Sequence, residues 1–150
     1  MNQSTKKLRR CYPFMVTNRK LGTDFEQALC ELLFEKGFWV HNLAQNQAGQ
    51  PADIIAVINS KPYLIDAKVC SDNKFPLSRI EENQKLSMEL WGDCRNKTGW
   101  FAFLIDDEVF MMAYANIKEM QMSNSFKTVL TLSDIVDKGM TFEKWVLICQ

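Results

Sequence analysis

The chain has 150 residues, 47% of them hydrophobic, which suits one domain with a proper core and not two. Five scattered cysteines without a C-x-x-C pair, and one histidine (His41), count against a disulfide framework, a structural zinc site, a Ser-His-Asp triad and an HNH-type nuclease site. The net charge is zero, yet residues 1–20 carry six basic groups and no acid, leaving the rest acidic by six charges.

In chain order, residues 1–20 read as a flexible basic arm, with residues 21–150 as the single domain. Lys6, Lys7, Arg9, Arg10, Arg19 and Lys20 are expected to grip a phosphate backbone, because each neutralised phosphate releases counterions. Met1 to Arg10 is basic without a following apolar run, and no stretch approaches the ~20 apolar residues a bilayer needs. A cytoplasmic protein with no membrane partner is expected. Thr23 or Asp24 is placed to cap a helix in which Phe25, Ala28, Leu29, Leu32 and Leu33 recur at helical spacing, up to Gly37. Phe38 to Leu43 reads as a strand, followed by the polar loop 44–50. Two strands follow, Asp53–Ile58 and Pro62–Val69, joined through Asn59-Ser60-Lys61. Ser71 to Pro76 reads as loop. A helix is expected from Ser78 or Arg79 to about Arg95, with Ile80, Leu86, Leu90 and Trp91 on its inner side. Trp100–Ile105 and Val109–Tyr114 form a hairpin around Asp106-Asp107-Glu108, with a helical turn at Asn116–Met120. The tail reads as a strand near Thr128–Leu132, a helix at Ser133–Lys138 and a strand at Trp145–Ile148. The order implies an α/β domain, a mixed sheet flanked by helices.

Two strand-like runs carry chemistry: Pro51-Ala52-Asp53-Ile54-Ile55-Ala56-Val57 and Tyr63-Leu64-Ile65-Asp66-Ala67-Lys68-Val69. Residues two apart on a strand share a face, so Asp66 and Lys68 project together, and the hairpin brings Asp53 alongside. Two carboxylates and an ammonium at one sheet edge suit metal-dependent phosphodiester cleavage. Asp53, Asp66 and the Ala67 carbonyl are hard oxygen ligands for Mg²⁺ or Mn²⁺, with coordination sites left for water and phosphate. Lys68 is expected beside the attacking water or the scissile phosphate, stabilising negative charge and taking part in proton transfer. Glu26, on the apolar side of the first helix, is a fourth member, binding metal directly or through water. Taken alone, an Asp66–Lys68 pair reads first as an ordinary exposed ion pair worth roughly 0–1 kcal/mol, and it is the whole constellation that points to a site. Asp53 precedes a run that reads as buried, where an acid is costly without a partner.

Pro51-Ala52-Asp53, twelve residues, then Asp66-Ala67-Lys68 resembles the PD-(D/E)XK nuclease motif, with Glu26 matching the acidic residue of that superfamily's first core helix. Lys74-Phe75-Pro76-Leu77-Ser78-Arg79-Ile80, then Asn83-Gln84, then the strand 99–105, is similar to the stretch after the active site in RecU-type Holliday junction resolvases. The resemblance covers about residues 22–115 and implies a restriction-endonuclease-like core. It also implies that Gln84, on the helix after the motif strand, borders the active site. Lys74 and Arg79 become phosphate contacts where their loop faces DNA. Departures are Ala52 inside the motif, Asp66 where many members have glutamate, and Asn83 where RecU-type proteins often have histidine. The long stalk of those resolvases is missing: only residues 44–52 fill its place, as in compact archaeal-type resolvases. The resemblance implies a Mg²⁺- or Mn²⁺-dependent endonuclease cutting four-way or other branched DNA. Other readings of the site are a nicking, flap or repair nuclease of the same fold, or a non-catalytic DNA-binding module. A two-fold homodimer is expected, since a resolvase nicks two symmetric strands; the Trp100–Met112 hairpin and the segment Met111–Met122 are its expected interface. The small size suits a phage recombination enzyme.

Overall fold

The computed structural model describes residues 18–43 and 51–150. A six-stranded mixed sheet runs in the order β1-β2-β3-β5-β6-β8, with β1 Trp39–Asn42, β2 Ile54–Ile58, β3 Lys61–Val69, β5 Trp100–Ile105, β6 Glu108–Ala113 and β8 Met140–Thr141. A small ribbon pairs β4 (Lys74–Pro76) with β7 (Val129–Thr131). Among the described residues the helices are α1 Asn18–Glu35, α2 Glu82–Asp93, α3 Tyr114–Ser123, α4 Leu132–Lys138 and α5 Phe142–Cys149, with a 3₁₀ turn at Leu77–Arg79. β3 pairs antiparallel with β2 and parallel with β5.

Period-two alternation divides the core between the two sheet faces. On one face Ile54, Ala56, Ile65, Ala102 and Met111 meet Leu29, Leu32 and Leu33 of α1 and Phe142 and Trp145 of α5. Trp145 is the hub, stacked on Phe38 with centroids 5.5 Å apart and edge-on to Tyr63 at 5.3 Å. On the other face Phe101, Phe103, Phe110 and Met112 meet Phe75, Leu77, Met88, Ile117, Leu130 and Ile135. Every residue of β5 is buried, which explains its unbroken apolar sequence: helices cover it on both sides.

The α/β expectation of a mixed sheet flanked by helices holds, with corrections. α1 already includes residues 18–20, so the boundary at 20 falls inside a helix and Thr23 and Asp24 are interior. The arm residues Lys6, Lys7, Arg9 and Arg10 lie outside the described residues. The β2–β3 turn has two residues, Asn59 (φ 50°) and Ser60 (φ 62°), and Lys61 is already paired with Ile58. The expected loop 71–76 contains another such turn at Asp72-Asn73, which launches β4. The helix expected from Ser78 breaks, because Ile80 and Glu81 are extended between the 3₁₀ turn and α2. Leu86 and Leu90 point to solvent, and the buried positions of α2 are Gln84 and Met88. Trp145–Ile148 belongs to helix α5, not a strand: Phe142, Trp145, Val146 and Cys149 are buried at a helical spacing, and Thr141 caps the start. The Trp100–Met112 hairpin lies within the sheet with every strand residue but Glu108 buried, so its apolar side chains are not exposed for a partner. No described helix is long and apolar enough to cross a membrane.

Candidate active site

The sequence Tyr63-Leu64-Ile65-Asp66-Ala67-Lys68-Val69 alternates so that Leu64, Asp66 and Lys68 share the face opposite to α1. The β2–β3 ladder ends at the pair Ile54–Ile65, whereas β3 continues to Val69 beside β5 alone. The site lies in the gap where the two strands part. Asp53, just before β2, donates its own N–H to the Ile65 carbonyl at 3.1 Å. Its side chain reaches across the gap, where Oδ2 accepts the Ala67 N–H at 2.7 Å. A carboxylate thus substitutes for the missing backbone acceptor and is fixed by it. The N–H and C=O of one strand residue face the same edge. The Ala67 carbonyl is therefore turned to the same gap as Asp53.

Asp66 is 0% exposed and Asp53 8% exposed. Lys68 Nζ stands 3.0 Å from Asp66 Oδ1, while Asp66 Oδ2 is buried with no hydrogen-bond donor. The same ammonium donates to Gln84 Oε1 at 3.1 Å. That oxygen also accepts the Glu81 N–H at 3.1 Å, closing a capping box at the start of α2. One amide oxygen thus both caps a helix and holds the lysine. Glu26, half-buried on α1, faces the group from the other side, close enough for its charge to be felt by Asp66.

Burial is the main force on all three acids. It pushes Asp66 up to about 7, with the Asp53 charge adding and Lys68 opposing. It pushes Glu26 up to about 7, again with Asp53 adding and Lys68 opposing. Asp53 is also raised by burial, against the Ala67 hydrogen bond and Lys68. Three carboxylates share one ammonium, so the fully ionised site carries two net negative charges, a deficit of two positive charges. The donor-less Asp66 oxygen and this charge deficit fit a divalent cation with hard oxygen ligands. Among the described residues no three His, Cys, Asp or Glu side chains close into one ligand set. A metal's protein ligands would then be Asp53, Asp66 and the Ala67 carbonyl, with Glu26 standing farther out.

The fold thus brings Glu26, Asp53, Asp66, Ala67, Lys68 and Gln84 to one place. Lys74 is exposed on the β4–β7 ribbon, and Lys20 is exposed on α1. Arg19 lies in the first turn of α1. Arg79 is tied to the protein itself: its Nη1 donates to the Val69 carbonyl at 2.7 Å. Sequence reasoning missed Glu81, although Glu81-x-x-Gln84 spells a capping-box pattern. Asp106 and Asp107 form a tight turn, both at positive φ.

Among solved structures, the Archaeoglobus fulgidus Hjc, a Holliday junction resolvase, superposes with a TM-score of 0.61 at 16% identity, covering 84% of this chain and 98% of its own. The bacterial homing endonuclease I-Ssp6803I gives 0.59 at 12% identity, covering 91% and 94%. At these identities the likeness establishes the fold, a nuclease fold. Curated proteins contain no significant sequence match. The family description of Recombination protein U matches residues 38–147, which include Asp53, Asp66, Lys68 and Gln84 and leave Glu26 outside. The chain belongs to the RecU family.

Proposed function

We propose that this protein is a divalent-metal-dependent endonuclease that resolves Holliday junctions as a two-fold homodimer, one nick per protomer. The observation that carries the reading is the convergence of Asp53, Asp66 and Lys68 in the gap between β2 and β3, with a buried Asp66 oxygen left without a donor. Membership of the RecU family and the fold shared with a junction resolvase support the substrate.

A bound Mg²⁺ or Mn²⁺ would supply Lewis acidity at the phosphate and a water acidified enough to attack. The chain's own residues do the rest. Asp53 and Asp66 hold the negative charge that retains the cation, Asp53 being prevented from rotating by the Ala67 N–H. Lys68 sets a positive charge at the site, and Gln84 keeps the ammonium from folding wholly onto Asp66. Glu26 orients water from the α1 side. Lys74, Lys20, Arg19 and the basic residues before them are the source of phosphate contacts.

The test is cleavage of a synthetic four-way junction, a flap and a linear duplex, with Mg²⁺, with Mn²⁺ and with chelator. Paired symmetric nicks in the junction alone are expected, and only with metal. Asp66→Ala should bind the junction and lose about 10³-fold or more of the rate, since it removes both a ligand and the partner of Lys68. Equal cutting of linear duplex would remove the junction assignment and leave a nuclease.

A further inference from the structure

Two residues beyond Ala67, the parted edge of β3 presents a second backbone acceptor, the Val69 carbonyl. Arg79 Nη1 fills it at 2.7 Å. The guanidinium carbon lies 5.0 Å from the Phe75 ring centre. Phe75 is itself immobilised, fully buried and 4.9 Å from the Phe103 ring. One arginine on the 3₁₀ turn therefore fastens both the end of β3 and strand β4.

These contacts close a ring. Lys68 precedes Val69, Val69 is held by Arg79, and Arg79 stands two residues before Glu81, whose N–H fixes Gln84. Gln84 then returns to Lys68 through its Oε1. The backbone is extended at Ile80 and Glu81, so the 3₁₀ turn, which ends at the Ile80 N–H bond to the Leu77 carbonyl, does not run on into α2, which starts from the Glu81 carbonyl. Arg79 supplies the link that sets how far the Gln84-bearing helix stands from the Lys68-bearing strand. An arginine grips phosphate best as a two-pronged fork with its plane open. Here one prong and one face are already engaged within the protein.

We propose that Arg79 is a positioning residue for the Lys68–Gln84 contact, and not a phosphate contact. The kinetic consequence rests on the nuclease reading above; the structural one does not. Two measurements on Arg79→Ala and Arg79→Lys separate them. In chelator, without DNA, NMR of the full chain should show shifted resonances for Ala67, Val69 and the Gln84 side-chain amide in Arg79→Ala, with Arg79→Lys close to wild type. Unmoved Gln84 resonances would overturn the proposal, whether or not the protein cuts DNA. In cleavage assays Arg79→Ala should lose about tenfold in kcat with KM within twofold, and Arg79→Lys should recover most of it. Junction binding in chelator should keep the wild-type dependence on salt. A slope smaller by about one, with weaker binding and unchanged kcat, would identify a phosphate contact and overturn the proposal. A wild-type protein that cuts no DNA would sink the nuclease reading and leave the NMR result to judge Arg79.

Discussion

Asp66 is the residue on which the proposed chemistry and the stability of this protein meet. Its ordinary carboxyl range lies near 4. In the fold, burial and Asp53 raise it to about 7, and burial raises Glu26 similarly. An acid with a raised folded-state pKa contributes stability that is complete below about pH 4 and lost as pH rises to about 7, because the unfolded chain releases the proton more readily. Metal-free protein is thus expected to show a falling unfolding midpoint between about pH 4.5 and 7.5 in chelator. Millimolar Mg²⁺ or Mn²⁺ should restore the midpoint at pH 8, since a ligand bound only by the native state stabilises it. Asp53→Asn keeps an oxygen for the Ala67 N–H while removing a repelling charge. At pH 8 in chelator it should melt above wild type and gain less from metal. Thermal melts over this grid check the claim; a metal-free midpoint rising from pH 5 to 8 would refute it.

At the scale of elements, three tight turns carry the hairpins, and none of their central positions is glycine: Asn59-Ser60, Asp72-Asn73 and Asp106-Asp107 all have positive φ. Asn and Asp tolerate this conformation better than serine. Ser60→Gly should therefore raise stability by about 0.5–1 kcal/mol, read as a melting shift of a few degrees, without touching the site 6 residues along β3. Gly139 is the opposite case. A Cβ there would come 2.5 Å from the Ile135 carbonyl oxygen and 2.8 Å from that of Met111, both backbone. Gly139→Ala should cost about 1–3 kcal/mol. The bounds of β1, β2, β3, β5 and β6 and the Asp66–Lys68 pairing were legible in sequence because alternation and turn residues act locally, whereas the very short strands β4 and β8 carry too little pattern to show. The inner face of α2 was not legible: Leu86 and Leu90 look like core, and only the family resemblance placed Gln84 beside the site, where it reaches the Lys68 ammonium and the Glu81 N–H. The last helix was misjudged because a short apolar run fits either period, and only the spacing Phe142, Trp145, Val146, Cys149 separates them.

For the whole molecule, core packing takes up most of the sheet's two faces, with β1 largely exposed, which limits where a second copy can dock. The Trp100–Met112 hairpin was an attractive interface in sequence because apolar strands look alike whether they face a helix or a partner. Phe103 is 0% exposed between Phe75 and Phe101, so Phe103→Ala should lower stability by about 3–5 kcal/mol while the folded fraction keeps its wild-type mass in sedimentation. A well-folded monomer from a wild-type dimer would contradict that placement. The RecU match runs from 38 to 147 and so spans the sheet, α2 and the tail, whereas α1 and Glu26 lie before it. What the sequence fragments shared with nucleases could not show is how the site is held. Asp53 is fixed by β3 through both its backbone N–H and its side chain, and Lys68 by a helix cap.

The most direct test is a crystal of the protein soaked in Mn²⁺ and measured at the manganese absorption edge. An anomalous peak is expected between Asp53 and Asp66, about 2.1–2.3 Å from a carboxylate oxygen of each and within reach of the Ala67 carbonyl. A peak elsewhere, or none at saturating Mn²⁺ with both carboxylates ordered, would contradict the account.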